Sequence, residues 1–487
     1  MTKDEFDLWL LDESARKAVL VEVGAFNGVE EVTLYLATAG YNTLENEVPS
    51  ATSYLPVITD VAPVRESLSL SGTASLSAGE IEFSNHEGDL DPWLTWVFDN
   101  RPVSVYFGDL SWPRDQFIQV FSGVATTLEL DGPDSLKLPI TDKLQRLNSP
   151  ISDKLDDSNT PLPIALGEVS NISPTLVDPV NLVYQVNARS IGGIIEVRDR
   201  GLPVQFSQDT AAGTFRLGAR PFGEVTCSVW GDAGATGNSY VDTIAPLITR
   251  LATEFGPTPL SADEIDHGNL AEFSAANHQC VGAYFDEREN LLNVMSLLAN
   301  SVGAAVGTSA TGKLQLHQLR EPSTEKAVAV FSEFNMEENS FRVLQKVERA
   351  TALKLAFNRN YTPGQELSAG VPSEHQRELQ DEWKFVSSSS TELSRLYRKA
   401  DEPEPVETAL QVKQEAHAEC DRRLRVFSDK QRYIYTFTGF AECLTLELGQ
   451  DVIVNYPRYG FEQGAPGLVV GVSKDWLGQM VEVEIFV

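Results

Sequence analysis

Histidine, cysteine and positive charge are all in short supply. The chain has 6 His and 4 Cys in 487 residues, and 38 Lys+Arg against 70 Asp+Glu, a formal net charge of −32. Each shortage excludes something. Cys227, Cys280, Cys420 and Cys443 are far apart and form no C-x-x-C pair, so neither a disulfide framework nor a structural zinc site fits. A four-cysteine iron–sulfur ligand set stays open. The simpler reading is ordinary buried thiols in a chain made under reducing conditions. No histidine belongs to an H-E-x-x-H or H-x-H pair, and no G-x-S-x-G elbow is present. Nor is there a G-x-x-x-x-G-K-S/T loop, or a G-x-G-x-x-G that opens a helix after a strand. The usual signatures of metalloproteases, serine hydrolases, nucleotide and dinucleotide binders are therefore missing, and no cofactor is expected. No apolar run approaches the roughly 20 residues of a membrane helix. The start, "MTKDEFD", has no basic segment followed by an apolar one, so it does not read as a signal peptide. The acidic balance repels nucleic acid and anionic membranes. It describes either a well-solvated surface or one that lets DNA pass without sticking.

What the chain does have is many short alternating segments. Hydrophobic residues make up 42%, enough to build cores over the roughly three to four domains that this length allows. In the first 150 residues, "VLVEV" from Val19, "EVTLYL" from Glu31 and "LSLSGTASL" from Leu68 alternate apolar and polar, as do "GEIEF" from Gly79, "VSVYF" from Val103 and "FIQVFSG" from Phe117. This is the period of strands, and their short regular spacing suits a barrel or sandwich. A single helical piece is expected at Pro92–Phe98, capped by Asp91. Residues 148–163 are loop-like. A second β region follows from Leu182 to Trp230. Helices are expected over 239–256, with Ser239 as N-cap and Gly256 just past its end, and over 290–301. The second helix leads into a hairpin that turns at Thr311-Gly312. In the last third, residues 366–381 read as a polar mobile loop, and a long helix opens at Pro405-Val406 and runs to Phe427. Strands close the chain.

The candidate sites are aromatic and acidic. Asn85, Glu87, Asp89 and Asp91 alternate around Gly88 with the spacing of a calcium loop. They lack the trailing glutamate, and the bland reading is a turn that leads into a helix cap. Trp93 and Trp96 are three apart. They could stack on a sugar, but such a pair more often plugs one end of a barrel. Tyr433, Tyr435 and Phe437 share one strand face, for core or subunit contact. Tyr456 and Tyr459 flank Pro457 and Arg458, and aromatics beside arginine are common interface anchors. The candidate interface set is Trp93, Trp96, Tyr433, Tyr435, Tyr456, Arg458 and Tyr459; no catalytic or metal-ligating residue is assigned.

Several segments carry a resemblance. "VTLYLATAGY", "YLPVI", "GEIEFSNHEGDLDPWLTWVFDNRPVSVYFGD" and "LGEVSNISPTLVDPVNLVYQV" are four of them. "LLNVMSLLANSVGAAVGTSATGKLQL", "LKLAFNRNYTP" and "LELGQDVIVNYPRYGFEQGAPGLVVGVS" are the rest. In that order they resemble segments of baseplate hub proteins of siphophages, the long-tailed phages with non-contractile tails. The resemblance implies a mainly β chain with α+β parts, containing two tail-tube-like β-barrel domains and smaller α+β domains. The implied domains are a first barrel at 1–150, a β-rich domain at 151–238, an α+β domain at 239–340, and a second barrel with a long helix at 341–487. It further implies a homotrimer, not an enzyme, that continues the tail tube and adapts sixfold tube to threefold tip. The implied partners are the distal tail protein or tail tube, the tape measure protein and a central tail-tip fibre or receptor-binding protein. DNA would pass through the channel without specific binding. The implied location is the virion, after synthesis in the host cytoplasm. Larger relatives carry C-terminal receptor modules; this chain stops after a strand, so receptor binding is expected of another chain. The competing expectations are a glycan hydrolase using paired carboxylates and a sugar-binding module built on Trp93 and Trp96.

Overall fold

Strands take 40% of the chain and helices 20%, so the protein is mainly β. The computed structural model describes residues 3–12, 14–70, 74–77, 79–132, 134–152, 161–235, 237, 239–364, 366–398 and 402–487. Residues 153–160, inside the stretch expected as a loop, lie outside them. The chain gathers into two compact units, and each is built from separated stretches. Unit 1 is Met1–Arg146, Gly307–Val347 and Arg432–Val487; unit 2 is Leu147–Val306 and Glu348–Gln431.

Unit 1 holds two eight-stranded sheets. The first runs in the order Glu31–Ala37, Lys17–Phe26, Pro102–Asp109, Ile118–Ala125, Ser135–Thr141, Glu80–Ser84, Ile58–Val61, with Glu129–Leu130 on its flank. The second runs Ala327–Phe331, Asp451–Val454, Ala465–Asp475, Met480–Phe486, Tyr433–Gly439, Arg342–Lys346. All the pairings in these two runs are antiparallel except Ala327–Phe331 with Asp451–Val454. The alternation read from the sequence is the cause. In Lys17–Phe26, Val19, Val21, Val23 and Ala25 are fully buried and join one core with Phe107, Phe121, Phe437, Val469 and Ile485. One strand run departs from expectation. "LSLSGTASL" is not a single strand, because Val64–Leu68 pairs with Ala74–Ser77, Leu68 opposite Ala74. The same Val64–Leu68 strand then pairs with Ala465–Asp475, so an N-terminal hairpin completes the second sheet.

Unit 2 packs a five-stranded sheet (Leu202–Pro203, Ile191–Asp199, Val225–Asp232, Ile164–Ile172, Gly282–Phe285) with a four-stranded one (Thr175–Asp178, Val183–Gln185, Thr214–Leu217, Phe206–Asp209). Tyr184 and Phe215, cross-strand neighbours in the four-stranded sheet, stack with centroids 5.2 Å apart and join the core shared with the five-stranded one. A three-stranded sheet joins Lys384–Ser389, Ala352–Phe357 and Val406–Glu407.

The helices follow the sequence reading with corrections. Ile244–Glu254 starts after Thr243, not Ser239. Pro246 then falls in the first turn, where a missing N–H leaves nothing unpaired. Gly256 has φ +75° just beyond the end, as a left-handed stop requires. Leu291–Asn300 is capped by Asn290, whose side chain accepts from the amides of Leu292 and Asn293. The long helix begins at Lys413, not at Pro405, and runs to Ser428. The apolar spacing of Ala409 and Val412 fits a helix, but the backbone there has other partners. Ala409 accepts from Gly282, Leu410 from Asn358, and the Gln411 amide donates to Cys280. Those three bonds hold it extended. The expected loop at 366–381 contains a helix, Ser373–Gln380. Short helices at Lys3–Leu10, His267–Ala276 and Thr391–Tyr397 were not foreseen.

Candidate functional site

The aromatic corner of unit 1 is built on Tyr433–Gly439. Alternation puts Tyr433, Tyr435 and Phe437 on one face, and the structure places Tyr435 and Phe437 in the core, Tyr433 half-buried beside them. The ring they gather around is Phe341, which sequence reasoning missed. Phe341 is buried, lies parallel to Tyr435 at 5.3 Å, and sits 4.6 Å from Tyr456, 5.3 Å from Phe461 and 6.1 Å from Tyr459. Such offset and edge contacts add about 0.5–1.5 kcal/mol each beyond area burial. The segment after Asp451–Val454 folds over this cluster. The Tyr456 amide donates to the Phe461 carbonyl and the Phe461 amide to that of Arg458. Tyr459 takes φ +65° to close the turn, an uncommon conformation for a residue with a side chain. Arg458 is exposed, its guanidinium 5.2 Å from the Tyr459 ring. The corner therefore has a buried half, Tyr435, and an exposed rim of Arg458 and Tyr459. Burial pushes the Tyr435 hydroxyl above its ordinary pKa. Nothing in the pattern around Phe341 marked it in the sequence, because the four residues before it are polar and the strand after it, Arg342–Lys346, is exposed along its whole length.

Trp93 lies on a single 3-10 turn, Asp91–Thr95, and Trp96 is the extended residue that follows it. Trp93 is buried edge-on against Phe83 at 6.0 Å, and Trp96 is half-buried 6.3 Å from Trp93. The expected cap is corrected: Leu90 occupies the cap position, without a side-chain cap bond, and Asp91 lies within the first turn. Asn85 organises the preceding loop instead. Its Oδ1 accepts from the Leu90 amide at 2.9 Å and its Nδ2 donates to Asp91 Oδ1 at 2.8 Å. Asn85 is thereby committed to a turn, while Glu87 and Asp89 point to solvent. Among the described residues no group of three or more His, Cys, Asp or Glu is placed to hold a metal ion.

The most buried carboxylates are held by cations. Asp451 receives both Nη atoms of Arg320 at 2.9 and 2.7 Å and the Ser323 amide. Asp232 faces Arg189 and Arg250, each at 3.2 Å. Glu419 is gripped by Arg422 and Arg423 at 2.7 and 2.6 Å. Glu66 differs: burial raises its pKa, and Lys474 and the amides of Ala310 and Leu448 offset only part of that. The four thiols are free, and Cys227, Cys420 and Cys443 are buried. Burial lifts Cys443 to about 12, and burial with Asp242 close by lifts Cys280 to about 12, so both are thiols rather than thiolates near neutrality.

Among the described residues, the second sheet of unit 1 ends in two open edges. Arg342–Lys346 is exposed along its whole length, with Val343 40% and Leu344 50% accessible. On the opposite edge Val328 and Val330 are 51% and 57% accessible. Unpaired edges with apolar side chains invite another strand or sheet.

No family model matches the chain, and no curated protein matches it. Among solved structures it is similar to the tail protein from Neisseria meningitidis MC58, at 9% identity and TM-score 0.43 over 97% of each chain. It is also similar to the 43 kDa tail protein of prophage MuSo2 from Shewanella oneidensis, at 11% identity and TM-score 0.35, covering 96% of this chain and 98% of that one. A third is a prophage tail protein from Listeria monocytogenes EGD-e, at 11% identity and TM-score 0.37, covering 96% and 94%. These neighbours are tail proteins, two of them from prophages. At such identities and scores the likeness decides nothing about role. No helix among the described residues is long and apolar enough to cross a membrane.

Proposed function

We propose that this chain is a structural virion protein, the trimeric central hub of a siphophage tail baseplate, and not an enzyme. In this reading the two sheets of unit 1, built from 1–146, 307–347 and 432–487 instead of from the expected segments 1–150 and 341–487, supply two tube-like barrels, while unit 2 supplies the smaller domains. Three copies present six barrels, which continue a sixfold tube and hand over to a threefold tip. The observation that carries the reading is the pair of eight-stranded sheets in unit 1, the second of which includes the Val64–Leu68 and Ala74–Ser77 strands and ends in open, partly apolar edges. The ordered set of hub-like sequence segments supports it. The candidate contacts are Trp96, Tyr433, Tyr456, Arg458 and Tyr459, with Trp93 and Tyr435 behind them. The partners are the tail tube or distal tail protein, the tape measure protein and a tip fibre or receptor-binding protein. Three copies carry a formal charge of 3 × −32 = −96. Carboxylates along a bore would repel phosphates, so DNA would pass without adhering.

Native mass spectrometry with negative-stain imaging tests this. The expected result is a species of three times the chain mass, seen as threefold rings with a central channel. A chain that stays monomeric and cleaves or binds a glycan through Trp93 and Trp96 overturns it.

A further inference from the structure

The strands Ile58–Val61 and Glu80–Ser84 are neighbours in the first sheet of unit 1, with Val61 opposite Ile81. The same two stretches of chain run on as Val64–Leu68 and Ala74–Ser77, which pair with each other, and the Ala62 amide donates to the Glu80 carbonyl between the two pairs. The ribbon thus starts in one sheet and ends in the other, where Val64–Leu68 lies against Gly471–Lys474. Two strands alone are marginal in water, so the far pair depends on that docking. Its inward positions are Val64, Glu66 and Leu68, at 3%, 5% and 3% exposure. The outer two are apolar and favour burial. The middle one is a carboxyl.

Glu66 is buried without the partner that other buried carboxylates have. Asp451, Asp232 and Glu419 each meet a guanidinium at 3.2 Å or less. Lys474, two residues along the facing strand from the residue opposite Glu66, attracts it, but among the described residues forms no ion pair with it. Glu447 repels it. Arg65 alternates to the other face and meets Glu484 at 2.7 Å, and His317 lies behind Gly307 at the Ala74 end of the hairpin. Beside Glu66 is a cavity of about 370 Å³, with Phe6, Gln315, Leu444 and Trp476 in its walls. Apart from Glu66, Lys474 and Glu447, its described lining has no ionisable side chain. Trp476 Nε1 is buried with no hydrogen-bond partner among the described residues. The underside of the hairpin is therefore incompletely packed and its polar groups incompletely matched. A carboxylate buried there is costly, and the neutral acid costs far less.

We infer that the strands Val64–Leu68 and Ala74–Ser77 form a pH-dependent strap, docked on Ala465–Asp475 while Glu66 is protonated and released as Glu66 ionises. Burial holds the Glu66 pKa above its ordinary value, and release returns the carboxyl to water. Docking is therefore at full strength below the ordinary carboxyl range and weakens as pH rises through the docked pKa. Release bares the backbone of Gly471–Lys474 as a further edge, open to another strand. The base of the ribbon, Ile58–Val61 with Glu80–Ser84, stays in the first sheet. The inference does not depend on the hub reading.

The test is amide hydrogen exchange of the full chain, read by mass spectrometry at about pH 5 and about pH 8 and corrected for the intrinsic exchange rate. Residues 64–68 and 471–474 should lose protection by at least about threefold at the higher pH, while residues 19–25 of the first sheet keep theirs. Glu66→Gln should keep both segments protected at both pH values. Lys474→Met removes the attraction for the ionised form, so it should move the loss to lower pH, and it decides the matter if the first variant fails to fold. The inference is overturned if the two segments of the parent exchange alike at both pH values, or if residues 19–25 loosen with them. It is also overturned if folded Glu66→Gln loses protection as the parent does, or if Lys474→Met leaves the profile in place.

Discussion

At the residue scale, the informative groups are the buried charges. Asp451, Asp232 and Glu419 each meet a guanidinium, which is what burial of a carboxylate requires. Glu66 is 5% exposed and its pKa is raised, burial outweighing Lys474. A carboxyl harder to ionise in the folded chain than in the unfolded one disfavours folding once it is charged. Its contribution is intact below the unfolded pKa and is lost as pH rises through the folded one. Glu66→Gln keeps an oxygen for the Ala310 and Leu448 amides and removes the charge. Thermal melts should therefore show no difference from the parent near pH 4 and a more stable variant near pH 8, at about the ordinary carboxyl and neutral ranges. A variant less stable than the parent at pH 8 would mean that Lys474, not desolvation, dominates this site. Little of this was readable beforehand. Glu66 sits in an alternating run like many surface glutamates, and only the pairing of its strand with Ala465–Asp475 buries it.

At the element scale, the strands were the most legible part. Where one face is buried the period of two is enforced by packing, as in Val19, Val21 and Val23 or Tyr435 and Phe437. The helix Leu291–Asn300 was legible for a similar reason, with Asn290 as cap and Leu291, Val294, Met295 and Leu298 buried on one side. What failed was the competition between local preference and distant partners. Residues 409–412 carry helical spacing, yet they bond to Gly282, Asn358 and Cys280, which no local pattern announces. Of the candidate site, the Tyr433–Phe437 face and the Tyr456–Tyr459 turn were readable from alternation and from Pro457. Phe341, at the centre of the cluster, was not. The helix Lys413–Ser428 also does work that its sequence does not declare. From Glu419, Arg422 and Arg423 reach the carbonyls of Val302 and Asn300 at the end of Leu291–Asn300, at 2.9 and 2.6 Å. Guanidinium groups there satisfy carbonyls that the helix leaves open and oppose its dipole. Glu419 is fully buried and holds both arginines. Glu419→Ala should cost about 3–5 kcal/mol in chemical denaturation, the usual penalty for removing one partner of a buried pair. A loss under about 1 kcal/mol, the size of a surface pair, would show that the two helices are held by other contacts.

At the scale of the whole molecule, charge and edges oppose each other. A chain with net charge −32 repels its own copies, so association needs an attraction large enough to exceed that repulsion. The Arg342–Lys346 edge offers one, with Val343 and Leu344 exposed on its two faces and unpaired backbone along one side. Two variables separate the forces. Raising salt from about 0.01 M to about 0.15 M shortens the screening length from roughly 30 to 8 Å, which should strengthen association of the parent chain. The double substitution Val343→Lys and Leu344→Lys makes the chain two charges less negative, so on electrostatics alone it should associate more readily. If the edge is the contact, it should do the opposite, because a lysine on an open edge resists pairing. Mass photometry and native mass spectrometry of the parent and the double variant, at both salt concentrations, read the outcome. We expect a trimer for the parent and a monomer for the variant, with unchanged melting temperatures because both side chains are already exposed. A variant that assembles as well as the parent would move the contact away from this edge and toward the Arg458–Tyr459 rim.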